Sequence, residues 1–181
     1  MLNALNRKVV LIGSLALMSI MFVIVMLFVN PSIDGGNGTG VIKLQLSFDK
    51  ESGIEIINSW GQSGIENFNQ WIFTDYIYAL AYSVFFASLL SLLILKKGKE
   101  TFLPYKSAVY LAFIAGFFDW VENTIELMFV NNPSEVSNTL FFLHSIVASL
   151  KWAAFPIAVA YIVVLLTKKN ASSVQNERSG T

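Results

Sequence analysis

Asp119, Glu122, Asn123 and Glu126 stand at i, i+3, i+4 and i+7, an interval that lays four polar side chains along one stripe of a helix turning about 100° per residue. Asp75, Tyr78 and Tyr82 repeat the i, i+3, i+7 interval, and His144 and Lys151 are seven residues apart. Four carboxyl groups facing one lysine and one histidine cannot all persist as unpaired anions in apolar surroundings. Lys151 is expected to pair with Asp119 or Glu122, and at least one remaining carboxyl group to hold a proton. His144, whose imidazole titrates near neutrality when unperturbed, would link the group to bulk pH. Tyr78 and Tyr82 are expected to hydrogen-bond to the acids. The chemistry implied is the binding of a small molecule or of protons. The same residues also admit a structural reading, with Lys151 and Asp119 stapling two helices in register and His144 as a packing residue.

Several other chemistries are pruned by absence. A single histidine and no cysteine cannot build a multi-histidine zinc site within one chain. A carboxylate-rich site for a hard cation is then the one metal option, and neither a metal nor a cofactor is expected. There is no glycine-rich nucleotide loop, no G-x-S-x-G elbow, no H-E-x-x-H pair and no histidine box.

The elements that position these residues are dictated by composition. The chain has 181 residues, 55% hydrophobic and 13% charged, with a mean hydropathy of +0.61. An ordinary soluble domain carries about 25% charge, so a soluble enzyme, a disordered chain and a fibre are all excluded. Twelve basic residues balance twelve acidic ones, leaving no net field for nucleic acid.

A bilayer core about 30 Å thick takes roughly 20 apolar residues in helix. Four runs qualify, at about 9–29, 71–95, 107–130 and 139–167. The first has no charged residue and is too long for the core of a signal peptide, about 7–15 residues, so it is read as a retained anchor. Arg7 and Lys8 precede it, Lys96, Lys97, Lys99 and Lys106 lie between the second and third runs, and Lys168, Lys169 and Arg178 come after the fourth. The intervening segments hold only Lys43 and Lys50. Basic residues stay on the cytoplasmic side, so both termini are expected there. Counted at about 1.5 Å per residue from the outer ends, Asp75, Glu126 and His144 lie roughly 6 to 8 Å deep, and Tyr82, Asp119 and Lys151 roughly 16 to 18 Å deep. Glu122 and Tyr78 fall between, so three helices can face one polar pocket that opens outward. Trp71 and Trp152 suit the interface or packing.

Between the first two runs, residues 30–70 form an outer segment. Asn30-Pro31 and the glycine-rich stretch Asp34 to Gly40 read as a break and linker. Leu44, Leu46 and Phe48 alternate with polar residues, the period of an extended strand over Val41–Phe48. Asp49 can cap a short amphipathic helix through Trp60, ended by Gly61, that rests on headgroups or closes over the cavity. Residues 171–181, small and polar, read as a disordered cytoplasmic tail.

Leu44-Gln45-Leu46-Ser47-Phe48, Ile57-Asn58-Ser59-Trp60-Gly61, Thr74-Asp75-Tyr76 with Ala81-Tyr82, Phe118-Asp119-Trp120-Val121-Glu122-Asn123 and Leu150-Lys151-Trp152 together resemble a family of small four-span bacterial membrane proteins. The similarity covers most of residues 41–155. It implies a fold and a prokaryotic plasma membrane, and brings no established activity with it.

The expectation is therefore an all-α integral membrane protein: one domain, residues 1–170, built as a four-transmembrane-helix bundle with a small extracytoplasmic segment. Its leading function is a binding site in the polar pocket, with Asp119, Glu122 and Lys151 at the base, Asn123, Tyr82, Tyr78 and Asp75 orienting, and Glu126 and His144 at the mouth. Its partners would be the lipid bilayer, a small-molecule or lipid ligand, and a second copy or another membrane protein. The competing classes are an accessory protein whose buried charge pairs only hold the bundle together, and a membrane enzyme acting on a lipid.

Overall fold

The computed structural model describes residues 1–98 and 103–167, all helical with connecting turns and no strand among them. Lys99, Lys168, Lys169, Arg178 and the tail at 171–181 lie outside the described residues. In chain order the helices are α1 (Leu2–Leu5), α2 (Lys8–Ile24), α3 (Asn30–Ile33), α4 (Gly40–Gln45), α5 (Lys50–Lys96), α6 (Leu103–Asn131) and α7 (Asn138–Thr167). A wide π turn, Val25–Val29, joins α2 to α3 without a break.

Three helices are long and apolar enough to cross a membrane: Lys8–Ile33, Lys50–Lys96 and Asn138–Thr167. The first, 26 residues, is about 39 Å long and exceeds a hydrocarbon core of about 30 Å. α6 has 29 residues but falls short in composition, because it carries the Asp119, Glu122 and Glu126 stripe. The molecule is inverted relative to a water-soluble one. Val9, Leu27, Phe28, Phe73, Phe117 and Leu166 point outward, while Asp119, Glu122, Glu126, His144 and Lys151 are buried. In water such a surface would be a large apolar patch; in lipid it is the ordinary arrangement.

α6 packs against α5 on one side and α7 on the other, and α2 leans on α5. The α5–α6 contact depends on small residues. A side chain at Gly116 would run into the Ser83 hydroxyl and meet the Ala79 carbonyl at 3.1 Å, so the two backbones approach as closely as glycine permits. An apolar cluster of Ile33, Leu44, Ile57, Phe68, Phe129 and Phe141 closes one end, and one of Leu90, Ile94, Val109 and Leu165 fills the other. The charged residues sit between them.

The segment before α5 departs from expectation. Val41–Phe48 is not extended: α4 covers most of it. A lone strand would leave its backbone unpaired, whereas a short helix satisfies its own and turns Leu44 and Gln45 inward, leaving Leu46 and Phe48 outside. Pro31 does not end the first helix either: it stands in the first turn of α3, directly after the π turn, and the helix runs on through it to Ile33. The loop after α3 folds on Asp34, whose carboxylate accepts from the N–H groups of Gly38, Thr39 and Gly40 at 2.6 to 2.7 Å.

Asp49 caps α5 as expected, accepting from the Ser52 N–H at 2.8 Å, and Gly61 interrupts it with φ 63° and ψ −178°, a conformation open to glycine. Trp60, at the end of the stretch expected to rest on headgroups or close over the cavity, is instead buried and stacks on Phe68 at 5.8 Å. The turn into α5 is tied to distant chain: Phe48 N–H donates to Ser145 Oγ at 3.0 Å and Lys50 N–H to Asn138 Oδ1 at 3.0 Å.

Gly116→Leu should loosen α5 from α6 at a cost of about 1–3 kcal/mol, the usual range for overpacking, read as a lower thermal midpoint by helical circular dichroism in lipid nanodiscs. Burial pushes the Asp34 carboxyl up, but the backbone donations from Gly38, Gly40, Thr39 and Asn37 outweigh it and hold the group below its ordinary 3.8. A depressed carboxyl contributes stability above its unfolded value and loses it as the pH falls through the folded value. The amide signals of Gly38 and Gly40 should therefore move on acidification with a midpoint below the ordinary carboxyl value of 3.8, and Asp34→Asn should abolish that movement.

Candidate functional site

The α6 stripe delivers its four polar side chains to one interior face, as the spacing requires, and α5 and α7 supply partners. Lys151 Nζ lies 3.0 Å from Asp119 Oδ1 and 2.8 Å from Glu122 Oε2. The sequence left a choice between the two acids; the lysine takes both. Tyr82 donates from its hydroxyl to Asp119 Oδ2 at 2.9 Å, so α5, α6 and α7 meet at one carboxylate. These side chains are almost wholly buried, Glu122 completely and Lys151 to within 5%. The remaining face of Lys151 lies 5.4 Å from the Trp152 ring centroid.

Toward the α4 end, His144 Nε2 approaches Glu126 Oε1 at 3.2 Å, with both side chains at 0% exposure. Asn123 donates to Asp75 Oδ2 at 3.1 Å. Tyr78 makes no hydrogen bond to an acid, contrary to expectation. It is half-buried, its ring meets Tyr82 edge-on at 5.4 Å, and it packs on Phe22 at 6.4 Å. All nine residues singled out by spacing thus fall in one neighbourhood: a cluster of Tyr82, Asp119, Lys151 and Glu122, the pair Glu126–His144 with Asp75–Asn123 beside it, and Tyr78 against the ring of Tyr82.

A cavity of about 200 Å³ opens onto these groups. Asp75, Tyr78, Tyr82, Asp119, Glu126 and Lys151 line its polar part, and Phe22, Val25, Met26, Val29, Ile72 and Phe155 its apolar part. It lies between the first helix, which packs mainly on α5, and α7. α4 borders it through Val41, Ile42 and Gln45, whereas no residue of the helical stretch 50–60 is among its lining.

Sequence reasoning missed the α2 wall, Gln45 and Trp152. Trp152 donates from its ring N–H to Gln45 Oε1 at 3.1 Å and lines the cavity with Trp71. Gln45 stood out little, because Lys43 is a second polar residue in the same short helix. Among the described residues, Glu122, Glu126 and His144 could hold a metal ion, since one ligand atom from each lies within 4.8 Å of the others.

The double role of Lys151 predicts an asymmetry. Lys151→Met strands two buried carboxylates and should cost about 3–5 kcal/mol, whereas Asp119→Asn leaves the lysine its contact with Glu122 and should cost less. The exchange Asp119→Lys with Lys151→Asp should recover part of the loss. Thermal unfolding of all three variants in nanodiscs checks the order.

Comparison of the chain with family models, with curated proteins and with solved structures finds no match.

Proposed function

We propose that the chain is a four-span protein of a prokaryotic plasma membrane, both termini cytoplasmic, whose cavity opens outward and binds a small amphipathic molecule. The observation that carries this reading is the division of the cavity: apolar walls from α2 and α7 over a floor of Asp75, Asp119, Glu126 and Lys151. Such a combination of an apolar chamber with a few convergent polar groups suits a ligand with a polar end and an apolar body. A purely structural role accounts for the ion pairs but not for an unfilled space beside them, since packed interiors leave few voids larger than a water molecule.

The fourth span in this reading is α6. Its charges turn inward, while Tyr110, Ile114, Phe117 and Met128 face outward, as an ionisable span in hydrocarbon requires. Arg7, Lys8, Lys96, Lys97 and Lys106 gather at the end away from α4, which supports a cytoplasmic location for that end. The wall that turns toward the ligand includes Val25, Met26 and Val29 of the π turn, an irregularity frequent at functional sites.

The absence of cysteine allows a clean test. Met26→Cys should react from outside intact cells with a membrane-impermeant thiol reagent, and Phe28→Cys, on the outward face of the same turn, should not. Native mass spectrometry of the full chain should show a retained small molecule that Met26→Trp displaces without loss of helical signal. Labelling of Met26→Cys only from the cytoplasmic side, or a parent chain carrying nothing beyond bulk lipid, overturns the reading.

A further inference from the structure

We propose that Glu122, Glu126 and His144 bind a divalent transition-metal ion, of the class of Mn²⁺, Fe²⁺ or Zn²⁺, at the inner edge of the cavity. The inference stands on the geometry of this triad and does not require the amphipathic ligand.

Glu122 and Glu126 are four residues apart on α6, and His144 faces them from α7. One donor atom from each lies within 4.8 Å of the others, and all three side chains are fully buried. Among the described residues, each also keeps a side-chain atom with no hydrogen-bond partner, on Glu122, Glu126 and His144 alike. Such atoms are uncommon in native interiors and destabilising when unmet. Their presence on all three side chains of one cluster, each of metal-ligating type, points to a ligand that the three share. Protons serve poorly, because each carboxylic hydroxyl would become a buried donor in need of an acceptor. One divalent cation accepts a lone pair from each of the three side chains. It also offsets the excess of Asp75, Asp119, Glu122 and Glu126 over Lys151.

The donor set selects the class of ion. One imidazole nitrogen with two carboxylate oxygens suits Mn²⁺, Fe²⁺ and Zn²⁺; Mg²⁺ and Ca²⁺ prefer all-oxygen sites, and Cu⁺ prefers sulfur. Donors about 2.0–2.2 Å from one ion sit roughly 3 to 3.5 Å from one another, so these must draw together from separations of up to 4.8 Å, a movement within reach of two glutamate side chains.

Neighbouring groups already orient the ligands. Lys151 holds Glu122 Oε2 at 2.8 Å, which leaves Oε1 for the ion. The Phe129 ring stands perpendicular to His144 at 4.8 Å, itself stacked on Phe141 at 4.4 Å, and this fixes the imidazole plane. Outer partners of this kind tune affinity in known sites. Glu126 lines the cavity and supplies the path by which an ion enters, as any such site requires.

The test uses the full chain in nanodiscs, purified without a polyhistidine tag, so that its single histidine is the only imidazole present. Addition of Co²⁺ should give visible d–d bands that saturate at about one ion per chain, and Zn²⁺ should compete them away. The ring ¹⁵N signals, Nδ1 and Nε2, of the one histidine should shift on adding Zn²⁺ and return with a chelator. Glu126→Gln and His144→Gln, checked for helical content, should each weaken Co²⁺ binding by more than about 100-fold, beyond the 10–100-fold typical of outer-partner changes. A histidine signal unmoved by saturating Zn²⁺ overturns the proposal on the parent chain alone, whether or not the variants fold. Equal Co²⁺ uptake by folded Glu126→Gln does the same.

Discussion

One ammonium group organises the interior. Lys151 reaches from α7 to two carboxylates on successive turns of α6, and one of these, Asp119, also accepts from Tyr82 on α5. In a hydrocarbon environment a charge has few alternatives to such contacts, so the rotation of three helices about their own axes is fixed by a handful of polar atoms. Leucine and phenylalanine faces alone would tolerate many rotations, since one apolar surface packs on another with little angular preference. Ion pairing sets the register, and the small residues at Gly116, Ser83 and Ala79 let α5 and α6 come close enough to share it.

That arrangement divides the interior unevenly. Lys151 serves Asp119 and Glu122, while among the described residues no salt bridge joins a second cation to Glu126 and His144. Within the site, unmet atoms fall on Glu126, His144, Asn123 and Glu122, beside the cavity between the first helix and α7. Tight pairing at one level and unmet acceptors at the next are parts of a single arrangement. The first holds the helices firmly enough for the second to keep its shape.

The helical stripe on α6 was legible because its period is local: Asp119, Glu122, Asn123 and Glu126 share a face whatever surrounds them. The same holds for Asp49 as a cap and Gly61 as a break. That Lys151 takes both acids depends on the relative rotation of two helices 32 residues apart in the Lys151–Asp119 pair, which no local pattern records. Val41–Phe48 misled because alternation over so few residues also fits a short helix with one buried pair, Leu44 and Gln45. Trp60 reads as an interfacial residue in isolation, yet Phe68, beyond the Gly61 break, folds back over it. The α2 wall left no trace in the pattern, because a helix apolar on every side shows no preferred face.

The π turn gives α2 a further property. A turn of this kind accommodates one residue more than an α-helical turn, and it presents Val25, Met26 and Val29 to the cavity. Deleting a single residue there would let the turn relax to ordinary pitch while the helix on either side keeps its phase, and the bulged lining would draw back from the cavity. A deletion elsewhere in the helix, where no wide turn absorbs it, would instead rotate one end against the other by about 100°. The wide turn is thus where this first helix can change length without losing its orientation.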